Sequence, residues 1–178
     1  LTYIGHYNTW AMDHSTLSSD EQGYMGAIQG WLMTEGAYVM IQGTKPQTLA
    51  HGLSDSPVGL AGWLAEKFQT WTDGGLENRI GIDTFLTNVM VYWVTNTIGT
   101  SLRSYAEGEM EIMQRLPDVP TGFALFPKDL LAPPREWVER RVDLQRWTVM
   151  PRGGHFAALE EPELLADDLR AFFRPLRT

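Results

Sequence analysis

Hydrophobic positions along the chain recur with two different periods. Between Ser18 and Tyr105 the spacing is helical: Leu60, Leu64, Phe68 and Trp71 form one stripe, and Ile82, Phe85, Leu86, Val89, Met90 and Trp93 form a broader one. After Pro117 the pattern changes. Val119 to Phe126 and Arg146 to Met150 read as extended, apolar strands, with a short helix predicted over Pro134 to Arg141. Pro162 to Leu176 reads as an amphipathic helix whose stripe is Leu165, Leu169, Phe172, Phe173 and Leu176. At the other end, Leu1 to His6 is β-branched and aromatic and predicts a buried strand. The order is one strand, a helical insertion, then two strand–helix units, which is an α/β pattern.

Local signals refine the elements. Ser18 and Glu21 offer a capping box for the helix that follows, and Gly23, Gly26, Ala27 and Gly30 would let that helix pack closely. Tyr38 to Thr48 ends in a turn or short helix. Asp55-Ser56-Pro57 supplies a cap residue and a proline for a first helical turn, Gly74-Gly75 closes that helix, and Asp83 is expected to cap the next. The run Glu160, Glu161, Glu163 reads as the acidic first turn of the last helix, which suits its dipole.

Composition narrows the function classes. With 178 residues and 43% apolar content, including seven Trp, seven Phe and six Tyr, the chain suits a folded domain or part of a larger one. A net charge of −8 without a basic cluster opposes nucleic acid as a partner. The absence of cysteine excludes disulfides, thiolate nucleophiles and Cys-ligated metals. The longest apolar run, near Val89 to Val94, is far short of a membrane span, so a cytoplasmic protein is expected. A start at Leu1, without Met, is expected of a fragment or a processed chain.

Candidate chemistry converges on Arg152-Gly153-Gly154-His155-Phe156. Two glycines allow a sharp turn after a strand, and in α/β sheets the functional side chains gather at the carboxyl ends of strands. Asp129 lies just past the preceding strand. If the two strands are sheet neighbours, Asp129 can orient His155 as a general base, in the acid-then-histidine order of α/β-hydrolases. The plain alternatives are a loop histidine without a role and an Asp129 that starts the next helix. No Ser or Asp upstream of Asp129 sits in a nucleophile elbow; Asp13, Asp20 and Asp73 all lie in other settings. His6, His14 and His51 show no metal-ligand spacing, although His6, at a strand end, could approach a pocket. Trp63, Trp71 and Trp93 read as packing residues of the helical region, some of which could line an apolar site.

The residues then carry a resemblance. Tyr38, Ile41-Gln42, Thr44-Lys45-Pro46-Gln47-Thr48 and Asp55-Ser56-Pro57-Val58-Gly59-Leu60-Ala61 resemble the lid of microsomal-type epoxide hydrolases. So do Leu86-Thr87-Asn88, Tyr92-Trp93, Thr97-Ile98-Gly99, Ser101, Arg103 and Tyr105. Val119-Pro120-Thr121-Gly122-Phe123, Phe126-Pro127 and Arg152 to Ala158 with Glu160-Glu161-Pro162-Glu163-Leu164-Leu165-Ala166 extend the likeness to nearly all of the chain from Tyr38. It corresponds to the C-terminal half of that family.

This resemblance implies an α/β fold: the C-terminal part of an α/β-hydrolase with a helical lid. The implied divisions are a core strand and lead-in at 1–15, the lid at 16–105 and the C-terminal βα units at 106–178. It implies His155 as general base, Asp129 as the acid that orients it, and Tyr38 and Tyr105 as hydrogen-bond donors to an epoxide oxygen. Without it, the tyrosines are ordinary half-buried aromatics. The nucleophilic Asp would lie before Leu1, in the same or a companion chain. The partners implied are a small apolar epoxide and water, with no cofactor and no metal, and a homo-oligomer stays open. Asn96 stands where the family pattern expects Gly. Two rivals remain: another α/β-hydrolase chemistry, on esters or haloalkanes, and a non-catalytic fragment serving as a binding module.

Overall fold

The computed structural model describes residues 14–107 and 116–177, which fall into two compact units, 1–29 with 110–178, and 30–109. The expected strand at Leu1 to His6, with His6 itself, lies outside the described residues.

In the first unit two parallel strands, β1 (Leu116–Leu125) and β2 (Val142–Val149), are sheet neighbours. Both begin earlier than the apolar runs alone predict. Phe123 pairs with Trp147 in register, and their rings stack at 5.4 Å. Prolines at 117 and 120 withhold N–H donors, and the register slips between Leu116 and Pro120 and again between Thr121 and Gly122. A short helix, Arg135–Glu139, makes part of the crossover between the strands; it buries Trp137 completely. The first long helix of the chain, Ser19–Glu35, sets the Tyr24 ring edge-on to Trp137 at 5.6 Å.

The start of that long helix follows the capping box closely. The Ser18 amide donates to the Glu21 carboxylate at 3.0 Å, and the Glu21 amide donates to Ser18 Oγ at 3.3 Å. Glu21, 1% exposed, is also paired with the Arg140 guanidinium. The small-residue face is different from expectation: Gly23, Gly26, Ala27 and Gly30 are exposed, and a Cβ at any of the three glycines meets nothing within 4 Å among the described residues.

The second unit is all-helical among its described residues, as the 3.6-residue period predicts. Its helices are Ala37–Thr44, Pro46–Asp55, Pro57–Thr70, the short Leu76–Arg79, Ile82–Thr95 and Ile98–Glu107. Ser56 Oγ accepts from the Gly59 amide at 3.0 Å, and Pro57 occupies the first helical turn. The Ile82–Thr95 helix starts differently. Gly81, at φ 84°, precedes it without a side-chain cap, and Asp83 sits inside the first turn, where its charge still favours the dipole. Of its broad apolar face, Phe85 and Val89 are buried while Ile82, Leu86 and Met90 stay exposed. Leu60, Phe68, Phe85, Val89, Ile98 and Leu102 make the core of this unit.

Asn96 explains the glycine expected in its place. It terminates the Ile82–Thr95 helix in the left-handed region, φ 52° and ψ 42°, with its amide on the Trp93 carbonyl and the Thr97 amide on the Tyr92 carbonyl. Asn is the side chain that tolerates this conformation best after Gly.

The last long helix, Pro162–Phe173, stops three residues short of Leu176. It is fastened to β2 through Asp168, whose Oδ1 accepts from Arg146 Nε and Thr148 Oγ1, each at 2.7 Å. It approaches β1 so closely that a Cβ at Gly122 would lie 2.9 Å from the Phe172 ring. Its apolar stripe is half covered: Leu165, Leu169, Phe172 and Phe173 line a cavity of about 660 Å³ instead of a sealed core.

Candidate functional site

Because β1 and β2 are parallel neighbours, the chain leaves both at the same rim. The pairing continues past the strands, with a bridge between Lys128 and Gly154 and a hydrogen bond from the Lys128 amide to the Gly153 carbonyl at 3.0 Å. Asp129 and His155 are the next residues on either side. Their side chains meet there, His155 Nδ1 to Asp129 Oδ1 at 2.9 Å, with about a fifth of each side chain exposed (21% and 20%).

Asp129 is not the start of a helix, since the next one begins at Arg135. It sits in a turn instead, where its amide donates to the Phe126 carbonyl at 3.1 Å and its Oδ1 also accepts from the Leu130 amide at 2.7 Å. The carboxylate is therefore fixed by its own backbone before it meets the imidazole. Such a contact fixes the orientation of the ring and leaves Nε2 as the nitrogen not committed to Asp129.

On the histidine side the glycine turn is compulsory. Gly153 adopts φ 108°, and a Cβ there would lie 2.7 Å from Phe126 Cδ1. The two acidic residues that sequence alone assigned to the first turn of the last helix act elsewhere. Only Glu163 occupies that turn. Glu160, 7% exposed, accepts from the Gly154 amide at 2.8 Å and the Phe156 amide at 2.9 Å, while Glu161, 6% exposed, takes Arg152 Nε at 2.8 Å. The signal was present in the sequence, because Pro162 marks the first helical position and leaves Glu160 outside the helix.

In the all-helical unit, Tyr38 and Tyr105 come together. Their rings meet edge to face at 5.9 Å, and the side chains share a hydrogen bond. Burial raises the Tyr105 phenol above its ordinary 10.0; the bond with Tyr38 draws it back and Tyr92 pushes it up. Tyr105 is still 41% exposed, so that desolvation is partial. Trp71 is buried against Tyr38 at 5.4 Å, as a packing residue, with Trp31 at 6.3 Å from the same tyrosine. Sequence reading missed Lys67, whose ammonium lies 4.8 Å from the Tyr38 ring centre and 4.9 Å from that of Trp71.

Comparison with known proteins decides what kind of chain this is. No protein-family model matches. Epoxide hydrolase 1 of Sus scrofa is 47% identical over 156 residues, which cover 79% of this chain and 34% of that protein. The chain belongs to the epoxide hydrolase family. The structure of an enantioselective mutant of the Aspergillus niger epoxide hydrolase superposes with a TM-score of 0.76 at 35% identity, over 92% of this chain and 43% of that one. The juvenile hormone epoxide hydrolase of the silkworm Bombyx mori superposes with a TM-score of 0.75 at 37% identity, over 83% and 42% of the two chains. The chain therefore has the α/β-hydrolase fold and matches its C-terminal part, helical cap included. It spans about a third of the length of the curated relatives it matches.

Among the described residues of this family member, no group of three or more His, Asp or Glu side chains gathers as metal ligands, and no helix is long and apolar enough to cross a membrane.

Proposed function

We propose that this chain is the C-terminal part of an enzyme that hydrolyses an epoxide to a vicinal diol through an alkyl-enzyme ester. The observation that carries the proposal is the 2.9 Å contact between His155 and Asp129 at the rim of two adjacent parallel strands, in a member of the epoxide hydrolase family.

In the first half-reaction a carboxylate, supplied from a segment preceding Leu1, attacks an epoxide carbon and the carbon–oxygen bond of the ring breaks. Negative charge develops on the ring oxygen. Tyr38 and Tyr105 donate hydrogen bonds to it, and removing one such donor from an oxyanion typically costs about 3–4 kcal/mol. In the second half-reaction His155, with Nδ1 committed to Asp129, takes a proton from water at Nε2. The hydroxide so formed attacks the ester carbonyl, and the diol leaves as the carboxylate is restored. The first half takes up one proton at the alkoxide and the second releases one through His155, so water and epoxide alone are consumed. The apolar residues beside the site suit a small apolar epoxide as substrate.

The test separates the two halves. In the full-length polypeptide, His155→Gln should still be alkylated by substrate and fail to release diol, so that a covalent adduct accumulates in the mass spectrum. Peptide mapping should place the adduct outside residues 1–178. Steady diol release by the mutant would overturn the base assignment, and an adduct on this chain would overturn the upstream nucleophile.

A further inference from the structure

Glu160 stands out among the buried charged groups of the first unit that the mechanism above does not use. It lies at the end of a four-residue helix, Ala157–Glu160, and is 7% exposed. Its carboxylate turns back on the loop it follows. One oxygen, Oε2, accepts from the Gly154 amide at 2.8 Å, and the other, Oε1, accepts from the Phe156 amide at 2.9 Å. These are the backbone N–H groups immediately before and after His155.

We infer that Glu160 is a positioning residue for His155: a single buried carboxylate grips the peptide units on both sides of the histidine and fixes the direction in which its side chain leaves the loop. The inference rests on the reading of His155 as general base. Three features of the loop make such a grip necessary. Gly153 and Gly154 have no side chains to pack, and glycines give the backbone its widest freedom. The Asp129 contact orients the ring at Nδ1, and the Lys128 bridge holds the backbone at Gly153 and Gly154, ahead of His155, whereas the Glu160 carboxylate spans the histidine and takes the amides on both sides of it. Arg152, the outer anchor through Glu161, is more than half exposed at 58%, so its ion pair is solvent-screened. The Glu160 bonds, one buried at Gly154 and one part-buried at Phe156, are charge-assisted, hence short and directional. No other acceptor type serves equally: an amide offers one carbonyl oxygen, and its NH₂ would face an N–H donor.

Glu160 touches no reacting atom, so its removal should act only where His155 acts. In the full-length polypeptide, Glu160→Gln should slow hydrolysis of the alkyl-enzyme ester by about 10- to 100-fold, the penalty expected when a reacting group is misplaced by around an ångström. Alkylation, which does not use His155, should stay within about two-fold of the parent rate. Rapid mixing with a fluorescent epoxide reads the two steps separately, since adduct formation and diol release differ in rate. Glu160→Asp, which keeps the charge but withdraws it by one methylene, should show the same split, and it carries the test if Glu160→Gln does not fold. An equal fall in both steps would mean that Glu160 merely supports the fold, and no fall in either would mean that it positions nothing. Both outcomes overturn the inference. His155→Gln in parallel keeps the two ideas apart. If it blocks hydrolysis while the Glu160 variants do not, positioning fails and the base assignment stands; if it hydrolyses the ester normally, the base assignment fails first.

Discussion

Replacing Gly153 with alanine is the sharpest structural test of the histidine loop, because two penalties fall on one atom. The backbone at φ 108° lies where L side chains are strained, at a cost of about 1–3 kcal/mol. The added Cβ would also sit 2.7 Å from Phe126 Cδ1 and 3.1 Å from Glu161 Cγ. Neither neighbour can yield cheaply, since Phe126 is 5% exposed and Glu161 6%, so the crowding adds about 1–3 kcal/mol of overpacking. The sum for Gly153→Ala is a destabilisation of about 2–5 kcal/mol, allowing for one shift that relieves part of both. Urea denaturation with tryptophan fluorescence measures it. At an unchanged slope of about 2 kcal/mol per molar, the midpoint should fall by about 1–2.5 M. A shift worth less than about 0.5 kcal/mol would show that the turn relaxes freely, and the rigidity claimed for the His155 loop would be wrong.

Two further outcomes follow from the helical unit. At Asn96, held at φ 52°, Gly should raise stability by up to about 1 kcal/mol and Val should lower it by about 1–2 kcal/mol, both read as shifts in thermal midpoint. For Tyr105, the folded phenol titrates above the unfolded value of 10.0, so its protonated form is favoured by folding. The stability it contributes is fully present below pH 10.0 and is lost as pH rises through the folded pKa. Thermal melts between about pH 9 and 11 should therefore decline less steeply for Tyr105→Phe than for the parent, and parallel declines would contradict the partial burial of this hydroxyl.

Much of this architecture was legible in the chain because it rests on local rules. Ser18 and Glu21 form the box their spacing predicts, Ser56 and Pro57 start a helix as that pair should, and residues 18 to 105 fold as helices joined by short turns in their described part. The strand–helix–strand pattern placed β1 and β2 side by side, and the meeting of Asp129 with His155 follows from that adjacency. What escaped the sequence depends on long-range or backbone detail. Asp83 and Gly81 compete for the same helix start, and only the backbone angle at Gly81 decides between them. Gly23, Gly26 and Gly30 carry the same letters whether a neighbour covers them or not. Glu160 and Glu161 look in sequence like Glu163, which alone occupies the first turn of the last helix, because a charged run does not reveal which members fold back. Lys67 reaches Tyr38 across 29 positions, a separation no local pattern encodes.

The anchors of the histidine loop have one more consequence, and it concerns the order of folding. The bonds from Glu160 span four and six residues, and that from Glu161 to Arg152 spans nine, whereas the Asp129 contact spans 26. Short spans cost little loop-closure entropy, so the turn that presents His155 can take shape from its own ten residues at an early stage. Asp129 is then a late arrival, delivered when β1 docks on β2. Contacts of low sequence separation thus shape the turn that carries His155, and a contact of high separation completes its surroundings.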